Sequence, residues 1–250
     1  MIPYRDENPT TLPPILTVGI IALNVLAWVF LEGFGTERAL TAAVCNYGLI
    51  PGEVLQRLPP GSGIQMGPGA FCAVDPGPQY WTVLSSMFMH GGWMHIIGNM
   101  VFLWVFGNNI EDAMGHGRFA VFYLVCGVAA AAAQIAVNPN SAVPMVGASG
   151  AISGVLGGYM LLYPRVRVHA LVPLGFYMTT VKLPAYVMLG MWILLQILSG
   201  LPALGAQERG GTAFFAHIGG FVAGLVLIRV FAKREYLEQR KVLPGGYGYH

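Results

Sequence analysis

The chain has 250 residues, of which 55% are apolar and only 10% are Asp, Glu, Lys or Arg, with a net charge of +2. Soluble domains use roughly 25% charged residues, so this composition excludes an ordinary water-wetted surface and requires lipid over much of the molecule; the mean hydropathy of +0.62 agrees. The near-neutral balance offers no footprint for a nucleic-acid partner.

In chain order, Met1–Pro14 is polar and proline-rich, carries Arg5, Asp6 and Glu7, and reads as a non-helical segment. Apolar stretches follow near Ile15–Leu31, Trp93–Ile110, Phe119–Val137, Ala148–Tyr163, Leu183–Leu201 and Thr212–Phe231. The first has no small-residue cleavage site after it and reads as a retained span. Pro139, Pro144, Pro164, Pro173, Pro184 and Pro202 fall at or near the edges, where a missing backbone donor matters least. The fourth stretch is short. About 16 residues at 1.5 Å rise give roughly 24 Å, less than the ~30 Å hydrocarbon core, so its helix begins or ends inside the membrane.

The sequence therefore predicts an all-α membrane protein, a bundle of six transmembrane helices with a long outer loop, Glu32–Gly92, between spans one and two. Within that loop, Tyr80–Met89 is apolar enough to lie in the membrane interface. The expected division is a cytoplasmic segment at 1–14, a membrane domain at 15–231 and a cytoplasmic tail at 232–250. Orientation follows from Lys and Arg: Arg5, Arg118, Arg165, Arg167, Lys182, Arg229, Lys233, Arg234, Arg240 and Lys241 lie inside, against Arg38, Arg57 and Arg209 outside. The location expected is a bacterial inner or plasma membrane with both termini cytoplasmic. Cys126 lies mid-span and reads as packing, whereas Cys45 and Cys72 share the outer loop and are expected to pair.

Polar groups inside a membrane are costly and mark function. Three places stand out. In His90-Gly-Gly-Trp-Met-His95-Ile-Ile-Gly-Asn99, His95 and Asn99 are four apart and share a helix face, while His90 precedes the helix and points elsewhere. In Gly147-Ala-Ser149-Gly150 the serine opens the short fourth span, where free backbone N–H groups and the helix dipole favour an oxyanion. In Ala216-His217-Ile-Gly-Gly220-Phe-Val-Ala-Gly224 the histidine shares a face with two glycines. That face suits close approach to the fourth span, which offers Gly150, Gly154, Gly157 and Gly158. Each string alone has an ordinary reading, as interhelical hydrogen bonding, an N-cap or a packed histidine. Their agreement in depth does not, because spans two, four and six all start at the outer face and place these groups within their first turns.

A serine nucleophile needs a base, and histidine is the usual one. The candidate catalytic pair is Ser149 and His217, and the candidate oxyanion hole is the Ser149 N–H with the His95 and Asn99 side chains. The acidic residues inside the spans are Glu111 and Asp112, at the inner end of the second, so the arrangement reads as a dyad. No H-E-x-x-H occurs and no carboxylate neighbours His95 or His217, which disfavours a zinc site. His116, His169 and His250 are given no role.

The strings H-x-x-x-x-H-x-x-x-N, G-x-S-G and A-H-x-x-G-x-x-x-G, in order over Trp81–Phe231 and with Gly107-Asn-Asn-Ile-Glu-Asp before the third span, resemble the rhomboid intramembrane serine proteases. The resemblance implies a rhomboid-type bundle with a water-filled cavity opening outward, Ser149 as nucleophile, His217 as base, and His95 and Asn99 at the oxyanion. It implies single-span membrane proteins as substrates, cut in or beside weakened helices, and no cofactor. Two positions depart from the family pattern. Thr82 follows Trp81 where Arg is frequent, and Ser153 stands where some members stack an aromatic on the histidine, so His217 must be oriented otherwise. The alternative is a non-catalytic rhomboid-like protein that binds membrane clients; such relatives typically lack the serine or the histidine, and this chain has both. A transporter ranks lower, because the polar groups lie near the outer face and no carboxylate is central.

Overall fold

Each of the six apolar stretches forms a helix in the computed structural model, which describes residues 1–67, 69–175, 177–203 and 211–241. Strand β1 (Ile2–Asp6) leads into α1 (Ile15–Phe30), followed by α2 (Glu37–Tyr47), a single turn α3 (Pro51–Val54), the hairpin β2 (Gly63–Gly67) and β3 (Ala70–Ala73), and a second single turn α4 (Thr82–Ser85). Then come α5 (Trp93–Met114), α6 (His116–Val137), α7 (Ser149–Leu162), the hairpin β4 (Arg167–Leu174) and β5 (Tyr177–Pro184), α8 (Ala185–Gly200), α9 (Phe214–Phe231) and α10 (Arg234–Lys241). By length and composition α6 and α9 can cross a membrane, while α1, α7 and α8 are apolar but shorter. Arg209, His250 and the rest of the tail beyond 241 lie outside the described residues.

The fold is mostly helical rather than all-α. Val168 and Ala170 are buried on β4, which lies between β5 and β1 in an antiparallel sheet of order β1-β4-β5. The segment 1–14 is consequently docked rather than free. Ile2 pairs with Leu171, and the Glu7 carboxylate meets His169 Nε2 at 2.9 Å. Residues 32–92 are also structured. Cys45 on α2 and Cys72 on β3 form a disulfide, and the Ser85 hydroxyl donates to the Tyr47 carbonyl at 2.8 Å. Tyr80, Trp81 and Leu84 are exposed, whereas Thr82, Ser86, Met87 and Met89 of the same segment are buried.

The C-terminal end of α5 fixes the start of α1. Glu111 accepts from Leu16 N–H (2.8 Å), Thr17 N–H (2.8 Å) and the Thr17 hydroxyl (2.7 Å), and Asp112 accepts from Leu12 N–H at 2.7 Å. The Leu16 and Thr17 N–H groups, which lack a preceding turn, thus find a buried carboxylate at the dipole end that favours negative charge.

Helix α7 is the hub. Fourteen residues make it about 21 Å long, and eleven of them are buried. Its glycines admit α9 and α6 at backbone distance: a Cβ on Gly220 would overlap the Gly150 carbonyl, and one on Gly154 would overlap Cys126. The glycine-faced contact between the fourth and sixth apolar stretches is therefore present. The outer faces are apolar, with Val222, Val226 and Val230 of α9 exposed in a row four residues apart, a surface for lipid.

Candidate active site

Ser149 is the first residue of α7, so its N–H has no helical carbonyl to bond. The chain reaches it through Gly147, whose φ of +128° lies where side chains rarely go. The same glycine makes room for a ring: a Cβ there would lie 2.7 Å from His95 Nε2 and 3.4 Å from Ser149 Oγ. The loop is held by Gly147 N–H donating to the Ser86 carbonyl (2.9 Å) and by a bridge between Leu49 and Met145.

His217, the fourth residue of α9, brings its Nε2 to 2.7 Å from Ser149 Oγ. Glycine packing between α7 and α9 sets that distance. On the other side of the ring, Nδ1 lies 2.8 Å from Gln196 Oε1 of α8. Trp192, one turn earlier on α8, lays its ring against the imidazole with centroids 5.7 Å apart. Gln134 of α6 accepts the Ala216 N–H at 3.3 Å and steadies the start of α9.

His95 and Asn99 face the same cavity, of about 1010 Å³, together with Ser149, His217 and Trp192. His95 Nδ1 accepts the Gly91 N–H at 3.2 Å, so the ring proton sits on Nε2, the nitrogen turned toward Gly147 and Ser149. Asn99 Nδ2 is buried without a hydrogen-bond partner among the described residues. Such a group needs a partner from elsewhere, and a donor aimed into a cavity can take an oxygen.

All four residues singled out in the sequence, Ser149, His217, His95 and Asn99, thus line one cavity. His90 is fully buried with its ring edge-on to His95 at 5.1 Å, and its N–H donates to the Glu32 carboxylate. Burial pushes the Glu32 carboxyl up to about 7, and burial, reinforced by His95, pushes His90 down to about 3. Ser153 donates to the Ser149 carbonyl at 2.6 Å and leaves the face of His217 to Trp192. Thr82 is buried, its hydroxyl bonded to the Gln79 carbonyl at 2.6 Å. His116 and His169 pair with Glu111 and Glu7, away from the cavity. Among the described residues no group of three or more His, Cys, Asp or Glu side chains is placed to hold a metal ion. Gln196 and Trp192 went unmarked in the sequence; the available signal was a lone amide in an apolar run.

A model of the Rhomboid domain matches residues 77–234. Rhomboid protease GluP of Bacillus subtilis (strain 168) is 38% identical over 85 residues, 34% of this chain and 16% of that protein. RHOMBOID-like protein 5 of Arabidopsis thaliana is 27% identical over 66% of this chain and 49% of its own length. Rhomboid-like protease 5 of Toxoplasma gondii is 30% identical over 76% of this chain and 22% of its own length. The chain thus spans half or less of the length of these relatives.

Proposed function

Because this chain belongs to the rhomboid family, an integral membrane family of which intramembrane serine proteases are typical, we propose that it is an intramembrane serine endopeptidase acting through Ser149 and His217. Relatives in a bacterium, a plant and a parasite mean that membership places it in a membrane without selecting a bacterial one. The carrying observation is the 2.7 Å approach of His217 Nε2 to Ser149 Oγ, inside a cavity that the unpaired Asn99 Nδ2 donor also lines.

In the proposed reaction Ser149 Oγ attacks the scissile carbonyl carbon as its proton passes to His217 Nε2. The resulting oxyanion takes hydrogen bonds from Ser149 N–H, His95 Nε2–H and Asn99 Nδ2–H. Collapse breaks the C–N bond, and the amine leaves with the proton from His217. Water then attacks the acyl ester with His217 again as base, releasing the acid and restoring the serine hydroxyl.

The six long helices are the membrane spans, with residues 1–14 and the C-terminal tail in the cytoplasm, the side that carries ten of the thirteen Lys and Arg residues. The active site then opens near the outer face, and its substrates are transmembrane segments of other membrane proteins. No cofactor takes part.

The test is labelling of detergent-purified protein with a fluorophosphonate, mapped by mass spectrometry, against Ser149→Ala and His217→Ala. The expected result is label on Ser149 of the wild type alone. A folded wild type that takes no label would favour the non-catalytic, client-binding alternative.

A further inference from the structure

The Ser149–His217 pair works in one tautomer only. Nε2 must offer its lone pair to the serine, so Nδ1 must carry the proton, and something must keep it there. The usual keeper is a carboxylate, and none lies at Nδ1 among the described residues, where the oxygen 2.8 Å away is Gln196 Oε1. We propose that Gln196 is a positioning residue that completes a serine–histidine–amide relay, with Trp192 as the plate against which the ring is held. This rests on the serine–histidine reading above.

A glutamine can face a histidine either way round, and only one way is productive. With its oxygen toward Nδ1, the amide accepts and Nε2 of the ring is left as a base. With its NH2 group toward Nδ1, the ring proton would move to Nε2 and disarm the serine. The second hydrogen bond of Gln196 decides between them. Its NH2 group reaches the Trp192 carbonyl at 3.4 Å, and a carbonyl oxygen only accepts. Turning the amide over would set two oxygens against each other there. The main chain of α8 thereby fixes the amide, the amide fixes the tautomer, and the tautomer fixes which partner in the Ser149–His217 bond is the donor.

Trp192 and Gln196 are four residues apart, so one face of α8 supplies both the plate and the acceptor. That accounts for how His217 is oriented with Ser153 in place of an aromatic on α7. A neutral acceptor also suits the site. When His217 takes the serine proton, the Nδ1–H bond to Gln196 strengthens, yet no permanent charge has to be desolvated next to lipid.

The test compares wild type with Gln196→Leu, Gln196→Asn and Gln196→Glu, using fluorophosphonate labelling rate, cleavage kinetics in liposomes and ¹⁵N NMR of the histidine rings. Gln196→Leu keeps bulk without an acceptor, and Gln196→Asn is one methylene too short. Both should lower kcat and labelling rate by about 10- to 100-fold with KM within about twofold, since an interaction made in the transition state is lost. Gln196→Glu restores an acceptor, so the rate should recover while the acid limb of its pH profile moves to higher pH, because a carboxylate favours the protonated ring. NMR should show Nδ1–H at His217 in the wild type and a mixture of tautomers in Gln196→Leu. Equal rates, pH profiles and tautomers in all four proteins would overturn the relay while leaving the serine–histidine reading intact. An unlabelled wild type would overturn that reading instead. Should Gln196→Leu fail to fold, Gln196→Asn decides, since a merely structural glutamine would leave its labelling rate and the His217 tautomer at the wild-type values.

Discussion

Gly224 of α9 lies against the main chain of Gly154 in α7 so closely that a methyl group built on it would overlap the Gly154 carbonyl. The contact lies two turns below His217 and five residues beyond Ser149, on the helix pair that carries both. Backbone cannot yield as a side-chain tip can, so Gly224→Ala must push α9 away from α7. A loss of about 1–3 kcal/mol is expected from overpacking, together with slower labelling of Ser149 as the distance to His217 grows. Gly190→Ala is the control, because a Cβ at Gly190 meets nothing within 4 Å. Thermal melts in detergent, run beside the labelling assay, check both outcomes.

The carboxylate clamp between α5 and α1 gives a prediction that separates stability from chemistry. Glu111→Ala strands two N–H groups and the Thr17 hydroxyl, where each buried unsatisfied group costs about 1–3 kcal/mol. Thr17→Val removes one of those bonds and should cost about 1 kcal/mol. Both sit far from the cavity, so the folded fraction should label at the wild-type rate while the melting temperature falls, more for Glu111→Ala.

Stability should also carry a pH signature from Glu32 and His90. Folding raises the Glu32 carboxyl from 4.5 to about 7, so its contribution is fully present below 4.5 and is lost as pH rises through about 7. Folding lowers His90 from 6.5 to about 3, so its contribution is present above 6.5 and is lost as pH falls through about 3. Glu32→Gln retains an acceptor for the His90 N–H and cannot ionise. Its stability relative to wild type should rise steadily between about pH 4.5 and 7 and be level below that window, as read from melts across the range. A constant difference would show that Glu32 is not held protonated.

The Cys45–Cys72 bridge closes a loop with a sequence separation of 27. On the chain-entropy account it contributes about 3–4 kcal/mol against the unfolded chain. Under oxidising conditions the unfolded protein should yield a single free thiol, Cys126, and Cys45→Ser should lower the melting temperature without removing the Ser149 label.

Much of the site is legible in the sequence because polar groups have few structural reasons to sit inside apolar runs. Ser149 and His217 each lie in a glycine-flanked string near the N-terminal end of such a run, and helix spacing alone puts Asn99 over His95. The helices themselves follow from apolar length. What the sequence hides is whatever depends on packing between distant elements. Gln196 is a single amide among leucines and isoleucines, and only the docking of α8 on α9 turns it toward His217. Gln134 is equally silent until α9 starts beside it. The β4–β5 hairpin carries its period-two signal for a few residues between Pro164 and Pro173, where prolines read as helix edges. Its pairing with Ile2–Asp6 spans more than 160 positions and has no local trace. Glu32 sits at the rim of the first apolar run, and nothing nearby in sequence marks it as the acceptor for His90.

The central claim is that Ser149 and His217 hydrolyse a peptide bond held in a bilayer. The most direct measurement reconstitutes wild type, Ser149→Ala and His217→Ala in liposomes with a single-span substrate whose helix is weakened by glycine or proline, and identifies the fragments by mass spectrometry. The account predicts one cut within or beside the transmembrane segment by the wild type, and no cut by either variant although both remain folded. Cleavage by Ser149→Ala at the wild-type rate would contradict it.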